Sequence, residues 1–248
     1  MNTNVAPLRS KSTPWNGSIA RTRFFDALSL MLPAGESFVI DALEAWAAES
    51  GKLAAGDESD LARFIREERA HQRAHDLYNR ALIAETPSAL AAARRAEQAV
   101  AGLRTLPLIQ RVALAAAFEQ LTAVLSHEVL AHRHLLAHAG SSPQARLWRW
   151  HAQEELGHCH VAMQAARMHG VGGSRRIVAL CLATAFLAMD LLRGWIALCA
   201  SDIAAGAQRR KVAFDALCFA IQSMPTLARM TAGWLRCLLV PYRELRTA

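Results

Sequence analysis

Apolar residues recur at three- and four-residue intervals along most of this chain from about residue 22, with no sustained alternation of period two. A 3.6-residue period places such positions on one stripe of a helix, so the pattern predicts a series of helices and no sheet. The pattern breaks at Pro33, Gly56 and Asp57, Pro87, Pro107, Gly140 to Pro143, Gly170 to Ser174, Gly206 and Pro225. A turn is expected at Pro33, which leaves Glu36 in the first turn of the helix that follows. The next helix is expected to start near DESD, residues 57–60, whose acids suit the positive end of a helix dipole, and to run through FIREERAHQRAHDLYNRAL. A third is expected from about Pro107 to His138 and a fourth from about Pro143 to His169. Residues 1–20 lack the apolar period and read as a flexible arm with no secretory signal. No Gly/Ser/Pro linker interrupts the rest, so 21–248 reads as one helical domain.

Composition sharpens the class. The chain of 248 residues is 53 % apolar, dominated by Ala and Leu with few β-branched runs, which fits an all-α protein. A formal charge of +7 suits an anionic partner, but the arginines are scattered and no basic run is interleaved with exposed aromatics. That excludes nucleic acid as the expected partner. Five cysteines without CxxC spacing, in apolar helical contexts, read as reduced, buried thiols of a cytoplasmic protein. Segment 177–200 is long and apolar enough to span a bilayer. Asp190 and Arg193 sit within it at i,i+3 spacing, where they can pair on one face, so a core helix or peripheral membrane contact is favoured over spanning. A homodimer interface is the other use of such a surface.

The costly polar groups cluster in two places. In WRWHAQEELGHCHVA, residues 148–162, the side chains of His151, Glu155 and His158 leave one helix face within roughly 60° of each other. In EERAHQRAH, residues 67–75, Glu68, His71 and His75 span a similar arc. With 10 His in the chain, roughly half an ExxH pair is expected by chance, so one alone would carry little weight. Two on separate helices with apolar neighbours carry more, because buried carboxylates and imidazoles call for a shared counter-charge.

A ferritin-like carboxylate site needs two ExxH helices plus one inward Glu from each of two others. Glu36 precedes the first ExxH, and Glu119 is the one acid in the alanine-rich stretch VALAAAFEQLTAVL. The chain order is then Glu, ExxH, Glu, ExxH. Four carboxylates would neutralise two divalent cations, His71 and His158 would add one nitrogen each, and His151 a third. Such mixed ligation suits iron or manganese better than structural zinc. His75 is expected as a further ligand or as a partner of one. Glu67 and Glu154 are expected to face solvent or arginines, with orienting a histidine as the alternative, and His127, Glu128, His132, His134 and His138 to lie at the surface. Trp148 and Trp150 are expected as core or pocket walls.

The stretches FFDALSLMLPAGESF, FIREERAHQRAHDLYN, AAFEQLTA and LWRWHAQEELGH resemble the motifs of the bacterial "predicted metal-dependent hydrolase" family, a ferritin-like group, over roughly residues 20–200. The chain departs from that pattern at Gly157 and Cys159, beside His158, where bulkier acidic and basic residues are expected. The ligand set is also similar to that of the p-aminobenzoate N-oxygenases, with His151, Glu155 and His158 matching their HxxxExxH helix. The resemblance implies a ferritin-like four-helix bundle with additional C-terminal helices over 174–247, and a non-haem di-iron site. The resulting expectation is an enzyme that uses two iron ions, or manganese, and O2 as co-substrate to oxidise a small, hydrophobic organic molecule. A two-metal hydrolase and a non-enzymatic ferritin-type iron-binding protein are the alternatives.

Overall fold

The computed structural model describes residues 14–51, 53–131, 133–136 and 138–239. Among these the chain is all-α, with no strand. Its helices are α1 (Ile19–Ser50), α2 (Ala55–Glu85), α3 (Pro87–Arg104), α4 (Leu108–Ala131), α5 (Pro143–Met168), α6 (Gly173–Ala204) and α7 (Arg209–Leu239), with a short 3-10 turn at Arg133–Leu136. α1, α2, α4 and α5 form the bundle that carries the polar clusters, through contacts α1 to α2, α4 to α5, α1 to α4 and α2 to α5. α6 packs on α1, α3 and α4, and α7 packs on α1 and α4, so the additions clad one side of the bundle.

Several elements differ from the sequence reading. Pro33 does not turn the chain: α1 runs straight through it. A proline inside a helix leaves the carbonyl four residues earlier without its N–H donor. Here that carbonyl belongs to Ser29, and the Asn79 side chain of α2 donates to it at 2.9 Å. A tertiary hydrogen bond thus replaces the missing helical one. Glu36 consequently lies mid-helix and buried, away from any helix N-terminus. α7 likewise runs through Pro225. α4 ends at Ala131, earlier than the expected His138, and α3 is an extra helix inside the bundle's sequence, opened by Pro87 at its first position.

Residues 1–13 of the expected arm lie outside the described residues, as do 240–248. Residues 14–20 belong to the fold. Asn16 is fully buried and donates through Nδ2 to the Leu135 carbonyl at 3.0 Å. Gly17 takes a positive φ of 82°, and a Cβ there would come within 2.5 Å of the His138 Cβ. Glycine is therefore required at that turn. Ser18 and Ser142 cap α1 and α5, accepting from Arg21 N and Ala145 N.

The largest hydrophobic cluster gathers Phe38 and Leu43 of α1, Phe64 of α2 and the run Ala113 to Ala117 of α4. The alanines let α4 approach its neighbours closely, and each fully buried Phe contributes ~2 to 3 kcal/mol. Asp190 pairs across to Arg95 of α3 at 3.4 Å, whereas the expected partner Arg193 points to solvent. The thiols are free, but Cys181 is exposed and the other four are half-buried rather than buried.

Candidate metal centre

The two ExxH units meet inside the bundle. Glu68, His71, Glu155 and His158 offer ligand atoms that all lie within 4.8 Å of one another, and Glu36, His71 and His151 form a second such group. His158 Nδ1 is 2.6 Å from Glu68 Oε1, and His71 Nδ1 is 3.5 Å from both Glu68 Oε1 and Glu155 Oε1. These groups are buried. Yet both carboxylate oxygens of Glu36 and Glu68, one of Glu119 and one of Glu155, and the Nδ1 atoms of His71 and His158 make no hydrogen bond. Acceptors converging in a buried interior are expensive unless a cation or shared protons compensate them.

The outward nitrogens are satisfied. His71 Nε2 lies 2.9 Å from Glu154 Oε2, and His158 Nε2 lies 2.9 Å from Glu67 Oε2. The bonds cross reciprocally: the acid preceding the ExxH glutamate on each helix holds the histidine of the other. A carboxylate on Nε2 fixes the N–H there and turns the Nδ1 lone pair inward. Glu67 and Glu154 therefore take the alternative role, each orienting a histidine, rather than facing only solvent or arginines. The signal that could have found them was the doubled acid, EExxH, in both motifs. Trp150 adds a hydrogen bond from Nε1 to Glu154 Oε1 at 2.9 Å.

His75 belongs to neither ligand group. It sits in a chain of hydrogen bonds whose direction follows from its ends. Ser29 Oγ donates to Asn79 Oδ1 at 2.7 Å, so it accepts from His75 Nδ1–H at 2.8 Å. His75 Nε2 then accepts from His151 Nδ1–H at 3.1 Å. His151 Nε2 is left with its lone pair 3.2 Å from Glu155 Oε1, an arrangement that repels unless a proton or cation lies between. Burial, then the neighbouring His151 and His71, push the His75 pKa well below its ordinary value, in keeping with a neutral ring.

Without metal, protons carry the counter-charge. Burial followed by Glu68 pushes Glu36 well up, and burial followed by Glu155 does the same to Glu119. Burial alone would lower His71, but Glu155 and Glu68 outweigh it and raise the ring to about 11. His158 is raised against its own burial by Glu68. Glu119 lies outside both ligand groups, although Glu155 and Glu68 are near enough to act on its carboxyl.

A cavity of about 210 Å³ opens between α2 and α5 against this cluster, lined by Phe64, Glu67, Glu154, Gly157 and His158 among others. Gly157 presents no side chain to it, and a Cβ there would meet nothing within 4 Å. Among the other polar residues, His127 and His138 are exposed as expected, while His132 lies outside the described residues. Glu128 is instead buried against Arg229, and His134 bonds Thr226, both tying the region after Glu119 to α7. Trp148 is core, with its ring edge on His75.

A family profile described as "Predicted metal-dependent hydrolase" matches residues 6–243, nearly the whole chain. The chain belongs to this family. As a member of the predicted metal-dependent hydrolases it is expected to depend on metal, and the buried carboxylate and histidine cluster is where its donor atoms converge. No curated protein and no solved structure matches the chain.

Proposed function

We propose that this metal-dependent hydrolase family member is a two-metal enzyme that hydrolyses a small molecule entering between α2 and α5. The observation that carries the reading is the set of buried, orphaned oxygens and Nδ1 atoms contributed by α1, α2, α4 and α5. Glu68, His71, Glu155 and His158 would hold one ion, and Glu36 and His151, which group with His71, would serve the second. When bound, such a pair supplies Lewis-acid polarisation of a substrate oxygen and an activated water. Glu67 and Glu154 hold the histidine tautomers, and the His75, Ser29 and Asn79 chain holds that of His151. Glu119, buried and outside both ligand groups, holds its proton tightly and would stand as a neutral carboxylic acid beside the ligand carboxylates.

A second reading, oxygen activation at two iron ions, is favoured by the ligand order of Glu36, Glu68 with His71, Glu119, and Glu155 with His158 over four helices, the set of ferritin-like carboxylate proteins. Reconstitution of chelated protein with Fe(II), Mn(II) or Zn(II) tests both. Hydrolysis predicts two ions per chain and turnover of ester and phosphoester panels without O2. Oxygen uptake by the Fe(II) form, with no anaerobic turnover, would replace it by the second reading. Unchanged metal content in Glu155→Ala and His158→Ala would remove both.

A further inference from the structure

The face that α6 and α7 turn away from the bundle is apolar along both helices. On α6 the exposed residues Val178, Leu182, Met189, Leu192 and Ile196 follow one helical stripe. On α7 Phe214, Leu217, Ile221 and Met224 do the same, with Phe214 65 % and Ile221 61 % exposed. The two helices touch, and the Arg176 guanidinium donates to the carbonyls of Cys237 and Leu238, pinning the end of α7 to the start of α6. The stripes therefore belong to one antiparallel hairpin. A patch of this extent marks an interaction surface on a folded protein.

α6 is not placed to span a bilayer. Leu180 and Leu198 are fully buried, the Trp195 indole donates to the Ala20 carbonyl at 2.7 Å, and Asp190 reaches Arg95. It is anchored along its length to the bundle and offers only its outer side.

Charge selects the partner. Two of the three acids on α6 and α7 turn inward, Asp190 to Arg95 and Asp202 to Arg23, and the third, Asp215, is half-buried. Around the apolar face, Arg175, Arg193, Arg209, Arg210, Lys211 and Arg236 are exposed. A two-fold contact between copies would set this cationic border against itself, since such an interface pairs a patch with the same patch. An anionic lipid surface complements it, taking the apolar stripes into the acyl boundary and the cations among the headgroups.

We propose that the α6 and α7 face docks the protein, lying flat, on an anionic membrane surface. The full chain, metal-loaded, is sedimented with vesicles of phosphatidylcholine alone or mixed with phosphatidylglycerol. Binding is expected only to the mixed vesicles and to weaken as salt rises. Phe214→Asp with Ile221→Asp is expected to abolish it, with metal content and the thermal melt as checks on folding. Arg209→Gln with Arg210→Gln and Lys211→Gln, at an exposed helix start, is expected to weaken partition by roughly a hundredfold, at about fivefold per cation. Equal affinity for both vesicle types would overturn the proposal. So would no vesicle binding by a protein that light scattering shows to be a dimer and that Ile221→Asp makes monomeric, which would assign the face to a second copy.

Discussion

At the residue scale, the centre depends as much on what holds the histidines as on the groups facing inward. Removing a carboxylate that orients a ligand histidine costs roughly 10- to 100-fold in metal affinity. Glu67→Ala and Glu154→Ala are each expected to show that loss by equilibrium dialysis while the helical spectrum stays unchanged. The proton load gives a second test. Glu36, His71 and His158 all hold protons more tightly than they would in water, so metal must displace protons to bind. Metal affinity is therefore expected to rise with pH, by about tenfold per pH unit for each proton displaced, read by chelator competition across neutral pH. The inward ligands were legible because each ExxH repeats a spacing that a helix converts into one face. Glu67 and Glu154 were only hinted at by the doubled acid in each motif, because the histidine that each holds lies on the other helix.

At the element scale, helix periodicity located the bundle helices, and proline set the limit of that reading. Pro33 and Pro225 both read as breaks, and both lie inside helices. Propensity describes the isolated segment, whereas Asn79 supplies the Ser29 carbonyl from α2, forty-six residues beyond the proline. That bond couples folding to the site, since Asn79 also orders Ser29 and through it His75 and His151. Asn79→Ala is expected to cost ~1 to 3 kcal/mol in urea unfolding, for a buried carbonyl left without a donor. The packed start at Asn16 and Gly17 was hidden for a related reason. A Trp-Asn-Gly-Ser sequence has the composition of a linker, and its partners Leu135 and His138 lie far along the chain.

At the scale of the whole molecule, the buried cluster ties α1, α2, α4 and α5 together only when its like charges are compensated. Metal bound to the folded chain at about a hundredfold above its dissociation constant adds ~2.7 kcal/mol. For a chain of this length, chelation is then expected to lower the melting temperature by roughly 5 to 10 °C, seen by calorimetry before and after reloading. The class of the molecule was legible from composition, and the two ExxH segments that converge in the bundle from spacing. Where α6 and α7 would lie was not, because an apolar stripe is the same whether it meets a core or the outside.

The one-sided cladding makes the bundle mechanically unequal. α1 and α4 are held from behind by α6 and α7, while α2 is backed mainly by α3 and meets α5 along a shorter seam. Local opening follows the region with the fewest packed contacts. Deuterium uptake under native conditions is therefore expected to run faster in α2 and α5 around Glu67 and Gly157 than in the facing stretches of α1 and α4. The seam that breathes is the one bordering the cavity, so the rate at which α2 and α5 part would set the rate at which metal is captured and lost.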